Sequence, residues 1–554
     1  MPPPRLPWSP EIRQDGAELA EALPYELQEA CQDAQHLWQY LQMFPMEEIG
    51  VPDFVPKLQR GSKSRNIIYP VGDGVFIHIF DDPMDARNWY MAIEPMLLAD
   101  LDGVLGELDH ILLDYVEDLV DTEDKDVRRE SLIKLLTKVC QVENGPITAK
   151  VRRTGKKVRV SREEFEALKY LIVRDKVGMG ALQPLILDPN VEDISCSGVG
   201  SLFVEHKMFK SLKASITFDH TDDLDDFVLR LSERMKKPVT FRRPIVDSTL
   251  PDGSRINIVF GKDVSTRGSN FTIRKFAGIP ISIIELVGFG SISPMMAAYL
   301  WMVIGDGMNL FVSGETASGK TTLLNALTAF IEPAGKVVTL EDTSELQVPH
   351  PNWTRELTRD GSAGEGTGVG MFDLLKAALR QRPDAIMVGE IRGEEGAIAF
   401  QAMQTGHQVM STFHAATVEK LIQRITGHPI SVPKTYMDNL NVVALQSAVR
   451  LGNGQTVRRV MGINEIISYD PVGDTFSYLE IFHWNPVTDE FEFPGNKNSY
   501  LLESRVAPKM GIPPHRVFEV YDELQRRAEI IEQLQREGVN NFYDVYSHFS
   551  RNEH

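Results

Sequence analysis

The run Gly314-Glu315-Thr316-Ala317-Ser318-Gly319-Lys320-Thr321 has the spacing G-x-x-x-x-G-K-[ST], a pattern whose chemistry is the cradling of phosphates. Glycines at such positions let the backbone curl until successive N–H groups point into one hollow. The N-terminal end of a following helix adds partial positive charge there. On this reading Gly314, Thr316, Ala317, Ser318, Gly319, Lys320, Thr321 and Thr322 line a nucleoside triphosphate, with Lys320 reaching the β- and γ-phosphates and the Thr321 hydroxyl ligating Mg²⁺.

Further residues fit hydrolysis of that nucleotide. Ala385-Ile386-Met387-Val388-Gly389-Glu390 is an apolar strand ending in a carboxylate, which aims Glu390 at the metal and its waters. Val337-Val338-Thr339-Leu340-Glu341-Asp342 is a second strand ending in acids, and Glu341 is the first choice of general base. The choice between Glu341 and Glu390 stays open at this level. Gly406 to His414 sets a histidine at each end of a strand, and His414 is positioned to sense the γ-phosphate or to link subunits. Positive charge for the developing γ-phosphoryl oxygens can come from Arg380 and Arg382 ahead of the Glu390 strand, or from Arg255, Arg267 and Arg274 upstream. Such a group can be worth roughly 10³–10⁵ in rate.

These groups need elements to hold them. Asn309 to Ser313 reads as a short buried strand ahead of the loop, and Leu323, Leu324, Leu327, Phe330 and Ile331 recur at helical spacing behind it. Strands over 309–313, 336–340, 385–388 and 408–413 alternate with helices over 321–331, 371–381, 394–404 and 417–426, the pattern of an α/β core with a mostly parallel sheet. Gly361 to Gly370 lacks a lysine and reads as a surface loop. Pro514 to Asn540 reads as a polar amphipathic tail helix.

Ahead of the core, 161–280 reads as an α+β domain ending in a hinge at Ala277-Gly278-Ile279-Pro280, and the core then occupies 281–554. Ser161-Arg162-Glu163-Glu164 is a capping box. A helix follows Thr221 with Leu224, Phe227, Val228, Leu231 and Met235 on one stripe. Residues 1–160 read as a mixed accessory region, with a hairpin at Gly72-Asp73-Gly74 and an acidic helical segment from Asp100 to Lys138. Lys150, Arg152, Arg153, Lys156, Lys157, Arg159 and Arg162 then crowd together, either as a solvated linker or as a contact for anionic lipid over 150–162.

At 554 residues and a net charge of −20, the chain holds several domains and disfavours broad nucleic-acid binding. Its three cysteines lack metal spacing, and no signal peptide or membrane span is expected. The expected site of action is cytoplasmic.

Together these blocks resemble the type II/IV secretion ATPase superfamily. The likeness rests on the phosphate loop, an Asp box (Thr339 to Glu345), an atypical Walker B (Val388-Gly389-Glu390-Ile391-Arg392) and a His box (Gly406 to Ala415). Leu250 to Arg255, Phe271 to Phe276, Met371 to Pro383 and Val432 to Leu440 resemble the archaeal branch, closest to the archaellum motor ATPase. The tetracysteine zinc motif of many bacterial relatives is missing. The resemblance implies a RecA-like core behind an N-terminal domain, a homo-hexameric ring, ATP held between the two domains, and Arg255 and Arg274 as charge donors. It further implies a polytopic membrane platform protein and an accessory ATP-binding protein as partners, at the inner face of the membrane. The ATPase of an adhesion pilus or type II-like secretion system is the near alternative; a RecA-like nucleic-acid translocase is the distant one.

Overall fold

The computed structural model describes the chain except for residues 1–5, 9–10, 59–63, 83–84, 98–100, 113–114, 116–123, 144, 146, 148–152, 156, 251, 277, 360–367, 453 and 553–554. Most of the glycine-rich stretch, part of the acidic segment and much of the basic run therefore lie outside the described residues, as does Ala277 of the expected hinge. The chain divides into two compact units, Met1–Phe276 and Ala277–His554.

The first unit is built on one ten-stranded sheet. Ile67–Gly72 and Val75–Phe80 form the hairpin expected at Gly72-Asp73-Gly74. Asp73 and Gly74 both take positive φ, 51° and 74°, which gives the turn a twist matching its strands. Trp89–Ile93 runs parallel to Lys210–Phe218, with Lys213 opposite Trp89 and Ala214 opposite Tyr90. The sheet thus crosses the position where the sequence reading divides 1–160 from 161–280. That pairing is non-local and has no local signature. A buried Asp188 carboxylate accepts from Tyr69 (2.7 Å) and Tyr90 (2.9 Å), tying the early strands to the later ones.

Two helical features expected from the sequence stand in this unit. Ser161 and Glu164 cap Arg162–Lys176 reciprocally, and Thr221–Arg234 buries Leu224, Phe227, Val228 and Leu231 against the sheet. Of the basic run, Arg159 is bidentate to Glu143 at 2.6 and 2.7 Å, an intramolecular pairing between neighbouring strands.

The second unit contains the phosphate loop. Its strands are β1 (Leu310–Gly314), β2 (Val337–Glu341), β3 (Trp353–Leu357), β4 (Ala385–Glu390), β5 (Gln408–Phe413), β6 (Val442–Arg450), β7 (Thr456–Asp470), β8 (Thr475–Asn485) and β9 (Glu490–Glu492). They lie in the order β3-β2-β4-β5-β1-β6-β7-β8-β9. The first six in that order run parallel, and β7 to β9 return as an antiparallel meander. The expected strand–helix alternation holds: α1 (Lys320–Leu327), α2 (Met371–Arg380), α3 (Glu395–Gln404) and α4 (Val418–Thr426) connect or follow the strands. The chain has the α/β fold expected from its sequence, a phosphate-loop core with a mostly parallel sheet preceded by an α+β region.

The central strands β1, β2 and β5 are buried along their length, as a parallel sheet covered on both faces requires. One apolar cluster fills the face holding Trp301, Phe330 and Tyr299, and another fills the face holding Phe311, Phe400 and Phe413. The tail helix α5 (Val520–Arg536) and α6 (Phe542–Asn552) close the first face, with Phe549 against Trp301 at 4.5 Å between ring centroids.

Candidate functional site

In parallel strands the carboxyl ends gather at one edge of the sheet, and that edge collects the residues singled out above. The phosphate loop leaves β1 at Gly314, where a Cβ would sit 2.0 Å from the Gln446 carbonyl oxygen and 2.9 Å from Ser318 Oγ. No side chain fits there. Gly319, at φ +95°, caps α1, and Ala317 also takes positive φ, 61°. Ser318 Oγ donates to the Glu315 carbonyl at 2.8 Å and holds the curl of the loop. Lys320 Nζ folds back to the same carbonyl at 2.8 Å. Thr321 and Thr322 follow in the first turn of α1.

From Lys320 a chain of polar contacts crosses to β5 and β4. Lys320 Nζ lies 3.4 Å from His414 Nδ1, His414 Nε2 lies 3.0 Å from Glu390 Oε1, and Arg392 Nη2 donates to Glu390 Oε2 at 2.6 Å. His414 follows the end of β5, and Arg424 from α4 donates to its carbonyl oxygen. Thr412 Oγ1 donates to the Gly389 carbonyl at 2.6 Å, which fixes the end of β4 against β5.

The charges in this chain settle its protonation. Burial pushes the Glu390 carboxyl up, but the Arg392 hydrogen bond and the neighbouring positive charges outweigh it and hold the group below its ordinary value. Burial, then Lys320, lowers His414 in spite of Glu390. His414 is therefore neutral near pH 7, donating Nε2–H to Glu390 and offering the Nδ1 lone pair to Lys320. The Arg392 hydrogen bond, with Lys320 nearby, supplies positive charge that keeps Glu390 ionised.

Glu341 is built the opposite way. It ends β2, is 2% exposed, and packs so closely on Gly389 that a Cβ there would lie 3.2 Å from Glu341 Cγ. Its Oε1 accepts the backbone N–H of Glu345 (2.8 Å) and Leu346 (2.7 Å), while Oε2 is buried with no hydrogen-bond partner among the described residues. Burial raises its pKa to about 7, and the two N–H bonds and Arg355 offset that only in part. Arg355, stacked 4.4 Å over the Trp353 ring, donates to the Leu346 carbonyl and so clasps the loop that holds Glu341.

Within this unit, one expected residue lies away from this edge. Arg380 ends α2 on an exposed position ahead of β4, whereas Glu390 ends that strand. At about 3.3 Å per residue the strand separates them by roughly 20 Å. Arg255 and Arg274 belong to the first unit, where they are opposite one another on adjacent strands and pair with Asp247 and Asp193 at 3.2 Å each. Two groups escaped the sequence reading as neighbours of the acids: Arg392 and Arg355. Arg392 had a local signal, two positions beyond Glu390; Arg355 had none.

The oxygen donors at this edge, the Thr321 hydroxyl and the Glu390 carboxylate, are hard ligands of the type Mg²⁺ takes, and the loop has the glycines that a polyphosphate requires.

Comparisons with known proteins give the chain a family and several relatives. The family model described as Type II/IV secretion system protein matches residues 175–474. An uncharacterized protein of Methanocaldococcus jannaschii is 43% identical over 532 residues, covering 94% of this chain and 95% of that one. The type IV secretion system protein PtlH of Bordetella pertussis is 31% identical over 270 residues, covering 44% of this chain and 79% of its own length. Among solved structures, the ATPase DotB of Legionella pneumophila is 17% identical, with 66% of this chain and 93% of that one covered and a TM-score of 0.39. With the family model spanning more than half its length, and with the phosphate loop, both acids and His414 inside the matched span, this chain belongs to the type II/IV secretion system protein family.

Proposed function

We propose that this chain is a Mg²⁺-dependent ATP hydrolase working as a homo-hexameric motor, and specifically the motor that assembles, and can rotate, an archaellum filament. The observation that carries the hydrolase reading is the opposite tuning of two carboxylates beside one phosphate loop. Glu390 is held ionised by Arg392 and Lys320, while Glu341 is lifted to about 7. Groups pushed apart in this way divide the work of charge stabilisation and proton transfer.

The loop N–H groups and Lys320 bind the β- and γ-phosphates, and Thr321 and Glu390 would hold Mg²⁺. Bound there, the metal would offset the negative charge of the phosphates. Glu341 accepts a proton from the water that attacks the γ-phosphorus. The new P–O bond forms as the bond to the β-phosphate oxygen breaks, releasing ADP and phosphate. A base with a pKa near the working pH is the most effective kind. His414 joins Lys320 to Glu390 and makes the site responsive to what lies on the γ-side. Arg255 and Arg274 supply the remaining positive charge.

The archaellum reading is supported by the blocks at 250–255, 271–276, 371–383 and 432–440 and by a relative in an archaeon. The ATPase of an archaeal adhesion pilus is the alternative that the same core serves. The proposed partners are a polytopic membrane platform protein and an accessory ATP-binding protein, with work at the inner face of the membrane. Among the described residues no helix is long and apolar enough to cross a membrane.

The test is ATP hydrolysis against protein concentration, with mass measured alongside, with and without anionic vesicles. Turnover should rise steeply as a hexamer forms and should need Mg²⁺. Turnover by a monomer, independent of concentration and lipid, defeats the motor reading.

A further inference from the structure

The meander strand β7 places two adjacent arginines in very different surroundings. Arg459 is buried, bidentate to Asp489 at 2.8 Å and bonded to the Phe289 carbonyl at 3.2 Å. Arg458, next to it, turns the other way and lies on the phosphate loop. Its Nε is 3.4 Å from the Ala317 carbonyl oxygen, and a Cβ at Gly319 would sit 3.0 Å from its Cδ. Arg458 is exposed and has no carboxylate partner among the described residues. An arginine needs a reason to lie along a loop that already carries Lys320. Its own loop contact is one long hydrogen bond, too little to hold it there for stability.

Topology says which part of a nucleotide would meet it. β1 lies between β5 and β6. Glu390, His414 and Glu341 all stand on the β5 side, so the γ-phosphate end faces that way. β6 and β7 lie on the other side, where β6 pairs Ala448 with Arg458 just beyond Gln446, the residue opposite Gly314. Arg458 therefore approaches the loop from the flank opposite the acids, where the α-phosphate and the nucleoside follow.

We propose that Arg458 is a nucleotide-binding residue that engages the α-phosphate end of a bound nucleoside di- or triphosphate from β7. The proposal rests on the phosphate-loop reading given above. A guanidinium with free Nη donors is suited to two phosphate oxygens at once, which a lysine ammonium cannot match in geometry. Because the contact is remote from the γ-phosphate, it contributes equally to ATP and ADP and does not sense hydrolysis.

The experiment is equilibrium binding of fluorescent ATP, ADP and AMP analogues to the full chain, comparing the parent with Arg458→Ala, Arg458→Lys and Lys320→Ala. Loss of a charge-assisted hydrogen bond should weaken ATP and ADP alike by roughly ten- to a hundredfold in Arg458→Ala, with partial recovery in Arg458→Lys. Thermal melting without nucleotide should match the parent, because the side chain is exposed. Affinities within twofold of the parent overturn the proposal, and so does a loss confined to ATP, which would put the contact at the γ-phosphate. If the parent binds no nucleotide, or Lys320→Ala binds as well as the parent, the phosphate-loop reading itself fails and takes this inference with it. A loss in Arg458→Ala accompanied by a lower melting temperature without nucleotide also overturns it, in favour of a structural role.

Discussion

His414 Nε2 lies 3.0 Å from Glu390 Oε1 while its Nδ1 lies 3.4 Å from Lys320 Nζ, so one neutral imidazole joins the carboxylate at the end of β4 to the lysine of the phosphate loop. The link is directional. Lys320 can donate only if Nδ1 is unprotonated, and that holds because burial and the lysine itself keep His414 below its ordinary pKa. Glu390→Gln and His414→Ala should both retain nucleotide binding, since the loop N–H groups and Lys320 remain. Glu390→Gln should turn over at least a hundredfold more slowly and His414→Ala roughly tenfold more slowly, because charge-assisted contacts of this type carry about 1.5–3 kcal/mol. Phosphate release beside nucleotide binding separates the two effects, and normal turnover in Glu390→Gln removes that residue from the site.

Glu341 should set the acid side of the pH–rate profile. With its pKa at about 7, the base is protonated below neutrality, and turnover should rise as pH passes through about 7 and then level off. Stability should move the other way. The folded pKa is raised above the usual carboxylate value of 4.5, so the folded chain binds the proton more tightly, and this group favours the fold most below about 4.5. That advantage is lost as pH rises towards about 7 and is worth about 3 kcal/mol in all. Glu341→Gln should therefore be nearly inactive and should gain stability relative to the parent as pH rises from 4.5 to 7. Chemical denaturation across that range checks it; a constant difference would show that Glu341 is not a raised, buried acid.

Gly389→Ala is a sharper probe of the same carboxylate. The added methyl carbon would sit 3.2 Å from Glu341 Cγ, and Glu341 is pinned by two backbone N–H bonds and has little freedom to yield. The expected result is a loss of stability of about 1–3 kcal/mol together with a tenfold or greater fall in turnover. Unchanged turnover would mean that the position of Glu341 does not limit the reaction.

Arg255 and Arg274 face each other across adjacent strands, an arrangement of like charges that costs stability unless carboxylates offset it, as Asp247 and Asp193 do here. Two exposed cations placed together are better explained by a shared anionic target than by stability. Replacing either with Ala should lower turnover by roughly 10³ or more while changing stability by less than about 1 kcal/mol. Stopped-flow phosphate release and thermal melting on the same samples decide it. Full turnover in both variants withdraws them from the reaction.

What the sequence determined by itself is what short-range geometry determines. The phosphate loop needs a strand, a curl and a helix within about twenty residues, and Gly314, Gly319 and Lys320 are legible there because no other residue types meet those local demands. The apolar strands ending in Glu341 and Glu390, and the helices between them, were legible for the same reason: hydrophobic period and length decide them locally. Strands β3 and β6 and the meander β7 to β9 were not read, because their part-exposed patterns are weaker than that of a fully buried parallel strand.

What only the tertiary structure decided are the relations between such pieces. Sheet order brings His414 to Lys320 across 94 positions and Arg458 to Ala317 across 141. It buries Glu341 on Gly389, which separates a near-neutral acid from an ionised one although both end apolar strands in the sequence. It leaves Arg380 behind at the far end of β4, because a helix returning antiparallel to its strands must finish where the next strand begins. It also merges strands from before residue 100 with strands from beyond 190 in one sheet. Desolvation and long-range pairing depend on which surfaces meet, and a linear chain carries no local record of that.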